Sequence, residues 1–206
     1  MKDIKKVFST MCANSHSENQ RSTNDFYATD PIALGKLLTV FHGSGVVWEP
    51  AAGMGHLSKT LKEAVLFDGT PMFPIVYSSD LFQYENSVDE ITTGVDFLNF
   101  ESDYLLETDI ITNPPYVLSE QFIRKSISLI DDGFFVAMFL PIRYLEGKKR
   151  YSLFKEYPLY KVVIMSSRIE CSPTGRFGEG FTSAQGYAWF IWQKGFKGNC
   201  TVEWVL

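Results

Sequence analysis

Seven short stretches of this chain are apolar and rich in β-branched or aromatic residues: GVVWEP (45–50), FPIVYSSD (73–80), TDIITN (108–113), FFVAMFLP (134–141), KVVIMSS (161–167), YAWFIWQ (187–193) and CTVEWVL (200–206). Each has strand length and strand composition. Between them the apolar positions return at helical spacing, predicting helices near 30–41, 55–66, 118–130 and 148–157. In the third, LSEQFIRKSISLI, residues Phe122, Ile123, Ile127 and Ile130 share one face while the charges lie elsewhere. Near-continuous apolar strands alternating with amphipathic helices predict an α/β fold, its sheet covered by helices on both faces. The last two strands break the alternation. Only KGFKGN separates them, too short for a crossover helix, so they predict an antiparallel terminal hairpin. Residues 1–24 are polar and aperiodic and read as a flexible N-terminal arm, leaving 25–206 as a single domain.

Composition narrows the class without naming it. Apolar content of 45% with 21% charged residues is that of an ordinary globular protein. No run approaches the roughly 18 apolar residues of a membrane span. The opening MKDIKKVFSTMCANSHSENQ lacks the apolar core of a secretion signal, so a cytoplasmic location is the expectation. Cys12, Cys171 and Cys200 are odd in number and widely separated, and His16, His42 and His56 show no ligand spacing. Neither a disulfide framework nor a metal site is expected, and these histidines read as incidental.

Charge adds one asymmetry. The net charge is −5, yet residues 1–112 sum to −9 and residues 113–206 to +4. Within 137–176 the cations Arg143, Lys148, Lys149, Arg150, Lys155, Lys161, Arg168 and Arg176 face only Glu146, Glu156 and Glu170. A local basic surface of this kind suits a polyanion, although a solvated helix start would look the same.

The candidate chemistry sits where strands end. VVWEPAAGMGHLSKTL closes a strand on Glu49 and opens a helix after Gly53 and Gly55, a turn that lets the backbone bend tightly and a ligand approach closely. It is neither a dinucleotide G-x-G-x-x-G, since position 58 is Ser, nor a phosphate-binding P-loop. Taken alone it is an ordinary glycine-rich turn. The next strand ends in Asp80, where an acid can grip a ribose diol, and GVDFL places Asp96 and Phe97 just before the third strand. That strand runs into Asn113-Pro114-Pro115-Tyr116. Two prolines cannot continue a central strand, so the chain forms a rigid hook with an amide on one side and an aromatic ring on the other.

The series FYATDP, EPAAGMG, SSD, VDF, NPPY, together with the later SSRIECSPTGRFGEGFTSAQGYAWFIWQKG, resembles S-adenosylmethionine-dependent methyltransferases that modify exocyclic amino groups. Small phage-type DNA adenine methyltransferases are the most similar, over roughly residues 25–195. The resemblance implies a Rossmann-like class I methyltransferase fold with a mixed seven-stranded sheet of order 3-2-1-4-5-7-6. It implies S-adenosyl-L-methionine as cofactor, held by Tyr27, Thr29, Asp30, Glu49, Gly53, Gly55, Asp80, Asp96 and Phe97. It implies catalysis by Asn113, Pro114 and Tyr116 on an adenine amine, flipped from duplex DNA or presented single-stranded. Arg143, Lys148, Lys149, Arg150 and Arg176 are then candidates for nucleic-acid contact, and Arg176 or Gln185 for reading a base edge. NPPY specifies amino-group methylation but not DNA: RNA, protein glutamine, or a catalytically silent binding role remain open. No stretch reads as a large target-recognition region. Short or relaxed specificity, or an accessory subunit for recognition, is the expectation.

Overall fold

Along Phe135–Pro141 burial alternates from one side of the sheet to the other: Val136, Met138 and Leu140 join one hydrophobic cluster, Ala137 and Phe139 a second. Tyr187–Gln193 repeats this, with Ala188, Phe190 and Trp192 on the first side and Trp189 and Ile191 on the other. Side chains on a strand point alternately to opposite faces, so two strands apolar at every position demand cover on both. The computed structural model supplies that cover and describes residues 28–172, 174–178 and 185–206. The proposed arm at 1–24 and Tyr27 lie outside the described residues.

In chain order the strands are β1 (Ala28–Thr29), β2 (Val46–Glu49), β3 (Ile75–Asp80), β4 (Thr92–Thr93), β5 (Asp109–Thr112), β6 (Phe135–Pro141), β7 (Lys161–Met165), β8 (Cys171–Ser172), β9 (Tyr187–Gln193) and β10 (Thr201–Val205). The helices are α1 (Ile32–Leu38), α2 (His56–Glu63), α3 (Ser119–Leu129) and α4 (Lys148–Glu156). Among the described residues eight strands form one sheet in the order β10-β7-β9-β6-β5-β2-β3-β4, and β1 pairs separately with β8. Only β9 runs against its neighbours, antiparallel to β6 and β7. Helices α1 and α2 supply Leu34, Leu37 and Leu61 to one core; α3 and α4 supply Phe122, Ile123, Ile127 and Leu153 to the other. Each such side chain, fully buried, stabilises the fold by roughly 1.5–3 kcal/mol relative to exposure.

The α/β class and the two-sided sheet agree with the sequence, and β4-β3-β2-β5-β6-β9-β7 is the order 3-2-1-4-5-7-6 that the resemblance implies. Two features do not. The terminal hairpin is absent: β10 pairs in parallel with β7, Thr201 opposite Lys161, so β7 lies between the last two strands. The short connection passes beneath the start of β7, where Phe196 packs edge-on against Tyr160 at 5.2 Å and Thr201 N–H donates to the Tyr160 carbonyl. The sheet therefore gains an eighth strand at its edge. In addition, β4, only two residues long, fills the third place of that order, which none of the seven predicted stretches supplies.

Asp109 anchors the far end of β5. Fully buried, it accepts hydrogen bonds from the backbone N–H of Ser44 on one oxygen and of Phe135 (2.8 Å) on the other. It thereby ties the entries to β2 and β6 together. Burial raises its pKa, and the two amide donors act against that rise.

Candidate functional site

The carboxyl ends of β2, β3 and β5 lie side by side, with Val47 opposite Asp109 and Glu49 opposite Ser78, so the segments that follow them meet above one sheet edge. They enclose a cavity of about 360 Å³, walled by Glu49–Gly53, His56, Asp80–Phe82, Val95–Leu98 and Asn113–Leu118. In open parallel sheets ligands bind outside the carboxyl ends of the strands, at this kind of crevice.

The glycine turn is held from two sides. Asp80 is buried; its Oδ2 accepts the Gly53 N–H (2.8 Å) and its Oδ1 the Phe82 N–H (2.9 Å). One carboxylate thus fixes the turns after β2 and β3, and burial raises its pKa. Gly53 adopts φ +57°, and Ala52 N–H donates to the Ser79 carbonyl (3.0 Å). Gly55, at φ +88°, does not line the cavity. A Cβ there would sit 2.8 Å from the Asp89 Cβ, so its bare backbone makes room for the protein's own 88–91 segment rather than for a ligand. Val88 N–H closes that packing on the Met54 carbonyl (2.8 Å).

Glu49 is the most perturbed acid on the wall. It is 1% exposed, and its Oε2 accepts the Ser58 hydroxyl. Burial pushes its pKa from 4.5 to about 8; the Ser58 bond opposes this and the neighbouring Asp80 carboxylate adds to it. At neutral pH it is largely protonated, poised to ionise when a cation arrives.

Asp96 behaves locally. Exposed at the rim, it accepts the N–H groups of Leu98 (3.1 Å) and Asn99 (3.2 Å) on Oδ1 and the Asn99 side-chain amide (2.8 Å) on Oδ2. Phe97 turns inward, 3% exposed, against Trp48 and Phe122 at 5.2 and 5.0 Å between ring centres. It is both core and cavity wall.

The hook after β5 forms the opposite wall. Pro114 is buried, and Tyr116–Leu118 makes one 3-10 turn leading into α3. Asn113 donates its Nδ2–H to Thr29 Oγ1 at 2.6 Å, while its Oδ1 is buried with no hydrogen-bond partner. Such an orphan acceptor costs about 1–3 kcal/mol, a cost that an incoming N–H donor removes. The Tyr116 hydroxyl is likewise buried, among Tyr187, Cys171 and Asn113; burial drives its pKa well above the usual range. Its ring lies 6.1 Å from that of Tyr187. Cys171 shares this environment, and burial pushes its thiol up to about 11.

Thr29 reaches Asn113 because β1 pairs with β8, Thr29 opposite Cys171. Asp30 stays off the wall: its Oδ1 accepts the Ile32 N–H (3.0 Å) at the start of α1. Sequence reasoning treated His56 as incidental, yet it lines the cavity as the first residue of α2. Phe177 packs edge-on against its ring at 5.1 Å, and burial lowers its pKa. The only sequence signal for it was its place directly after the second glycine. Phe82, Tyr84 and Val117 on the wall were also missed, being apolar residues in loops with no periodic pattern.

None of the cations expected to meet nucleic acid lines this cavity. Arg143, Lys148, Lys149 and Arg176 are exposed, whereas Arg150 is committed internally, donating to the Arg143 and Glu146 carbonyls at 3.1 and 2.9 Å. Of the glycine-rich loop after β8, residues 174–178 pack over the glycine turn, where a Cβ on Gly175 would meet Met54 Sδ at 2.6 Å. Residues 173 and 179–184 lie outside the described residues. Among the described residues no three His, Cys, Asp or Glu side chains cluster to hold a metal, and no helix is long and apolar enough to cross a membrane.

No family model and no curated protein sequence matches the chain. Solved structures do. A protein from Listeria monocytogenes, named as a class I S-adenosylmethionine-dependent methyltransferase, superposes with a TM-score of 0.53 at 12% identity, covering 84% of this chain and 62% of that one. The type IIG restriction endonuclease BpuSI gives 0.56 at 18% identity, covering 82% of this chain and 26% of that one. A protein from Vibrio vulnificus YJ016, named as the modification subunit of a type I restriction enzyme, gives 0.56 at 14%, covering 96% and 49%. The chain thus spans less than two thirds of these neighbours. At such identities the likeness carries the fold: a Rossmann-like sheet of the methyltransferase type.

Proposed function

We propose that this protein is an S-adenosylmethionine-dependent DNA N6-adenine methyltransferase. The observation that carries the reading is the buried, unpartnered Oδ1 of Asn113 at the mouth of a proline-stiffened turn, in the wall of a cavity at the carboxyl ends of the central strands. An exocyclic amine is a planar N–H donor, and an orphan amide oxygen held on a rigid hook is an acceptor matched to it.

The wall fits the cofactor by its donor set. Acidic Glu49 suits a cationic ligand, Asp80 sits where a ribose would meet an acid, Asp96 with Phe97 offers an acceptor beside a ring, and Gly53 leaves the turn bare. Thr29, His56 and the turn Pro50–Gly53 would hold the remainder. Bound there, S-adenosylmethionine supplies an electrophilic methyl group on a sulfonium.

The chain's own residues do the rest. Asn113 Oδ1 and the Pro114 carbonyl accept the two amine hydrogens and draw the nitrogen toward a pyramidal shape, its lone pair directed at the methyl donor. Asn113 is neutral and need not act as a strong base: the N–CH3 bond would form as the donor's S–CH3 bond breaks to leave a thioether, and the alkylated nitrogen, now acidic, would release its proton to water. Pro114 and Pro115 keep both acceptors fixed, having no N–H and restricted φ. Tyr116 closes the wall beside the base. Ionised Glu49 would sit beside the sulfonium charge.

The restriction-enzyme neighbours favour DNA as substrate, since one is named as a modification subunit. The test incubates the protein with methyl-labelled cofactor and duplex DNA, single-stranded DNA, RNA or protein extract, with Asn113→Ala alongside. The expected result is N6-methyladenine in DNA from the wild type, at least about a hundredfold less from the variant, and unchanged cofactor binding. Label in RNA or in protein glutamine would reassign the substrate. Cofactor binding with no transfer to any of them would refute the enzymatic reading.

A further inference from the structure

The cations that follow β6 do not act as one block. Lys161 is at the other end of the sheet, bonded to Glu203 at 2.9 Å. Arg150 lies over the Tyr144 ring at 4.1 Å, and its guanidinium serves the two carbonyls named above. What faces outward is a stripe on α4. Lys148, Tyr151 and Lys155 recur at steps of three and four residues, so they stack on one helical face. Tyr151 is 66% exposed and Leu145 44%; with Gly147 and half-buried Phe154 they floor an open groove of about 560 Å³. The Lys155 ammonium sits 5.6 Å from the centre of the Tyr151 ring. Lys149 is exposed on the same turn. Of the two carboxylates in this stretch, Glu156 is already bonded to Arg124 at 2.6 Å, leaving Glu146 alone. An aromatic floor between ammonium groups is the chemistry that receives a base and its phosphates.

Its position suits the same strand that would enter the cavity. The turn Ile142–Leu145 leaves β6 at the carboxyl edge of the sheet, and β6 adjoins β5 there, Thr112 opposite Met138. Tyr144 meets Ser119, the first residue of α3, directly behind the Asn113–Leu118 wall. The groove opens one residue further on.

We propose that this groove binds an unpaired stretch of the nucleic-acid strand flanking the methylated base, one base stacked on Tyr151 and the adjoining phosphates against Lys148, Lys149 and Lys155. This rests on the nucleobase reading of the cavity and adds to it a substrate preference, for a target with single-stranded or opened flanks. A phosphate contact without the aromatic platform would not discriminate paired from unpaired strands.

The test uses fluorescein-labelled oligothymidine, which contains no adenine and so needs no methylation pocket, with affinity read by anisotropy across a salt series. Tyr151→Ala should weaken binding about tenfold while Tyr151→Trp keeps it. Lys148→Ala with Lys155→Ala should flatten the slope of log Kd against log salt by about one to two. Unchanged unfolding midpoints confirm that the variants fold. Tyr151→Ala binding as well as wild type, or phosphatidylserine vesicles binding where oligothymidine does not, would overturn the proposal. The two readings fail separately. Intact oligothymidine binding dependent on Tyr151, with no methyl transfer to any acceptor, leaves the groove and removes the enzyme. Full transfer to DNA with a neutral Tyr151→Ala does the reverse.

Discussion

Replacing Glu49 by Gln should change how stability depends on pH. The wild-type carboxyl is 1% exposed, and burial raises its pKa from 4.5 to about 8. Between those values the folded protein keeps the proton and the unfolded chain releases it. Unfolding therefore releases up to one proton, and stability falls as pH rises, at about 1.4 kcal/mol per pH unit from this group alone. The favourable contribution is complete below pH 4.5 and is lost as pH climbs through about 8. Over the full window the loss is about 5 kcal/mol. Gln has nearly the same shape, keeps an oxygen for the Ser58 hydroxyl, and carries no titrating proton. Urea unfolding of both proteins at half-unit steps from pH 5 to pH 9 measures the difference, and Asp80 and Asp109, also raised by burial, remain in both. Glu49→Gln should lie close to wild type near pH 5 and become the more stable protein by about 3–4 kcal/mol near pH 8.5. A gap that varies by less than about 1 kcal/mol across the range would refute the burial argument.

Two further substitutions test the scaffold. Asp109→Ala removes the acceptor of the part-buried N–H groups of Ser44 and Phe135 and should cost about 2–4 kcal/mol. In a thermal melt that lowers the midpoint by about 6–12 °C, and a shift under about 2 °C would sink the anchoring role. Gly55→Ala and Gly69→Ala separate contact from conformation, since both glycines have positive φ but only Gly55 faces a neighbour within 4 Å. The Gly69 change should cost about 1 kcal/mol and the Gly55 change at least about 2, read from denaturant midpoints; equal costs would show that the Asp89 contact yields freely.

The sequence determined the core and the strands that build it. Strands apolar at every position, such as YAWFIWQ, can only be buried on both faces, and the helical stripes of Phe122, Ile123, Ile127 and Ile130 supply cover. It also marked the ends of three strands, because acids, glycines and prolines at those points are locally unfavourable inside a strand. Those marks brought Glu49, Gly53, Asp80, Asp96, Phe97, Asn113, Pro114 and Tyr116 to one cavity wall. Tertiary structure decided what each does there. Asp80 ties two turns through backbone amides, Gly55 yields space to Asp89, and Arg150 serves its own turn, because a hydrogen-bond partner is set by proximity in space rather than in sequence. Pairing was decided there too. A six-residue connector permits a hairpin, but β10 pairs in parallel with β7 at the end of the sheet, and local spacing carries no record of that choice. His56 belongs to the same lesson: an isolated polar residue in the chain, it becomes part of the site only because α2 begins at the cavity, while Thr29, marked by its motif, reaches Asn113 only because β1 pairs with β8.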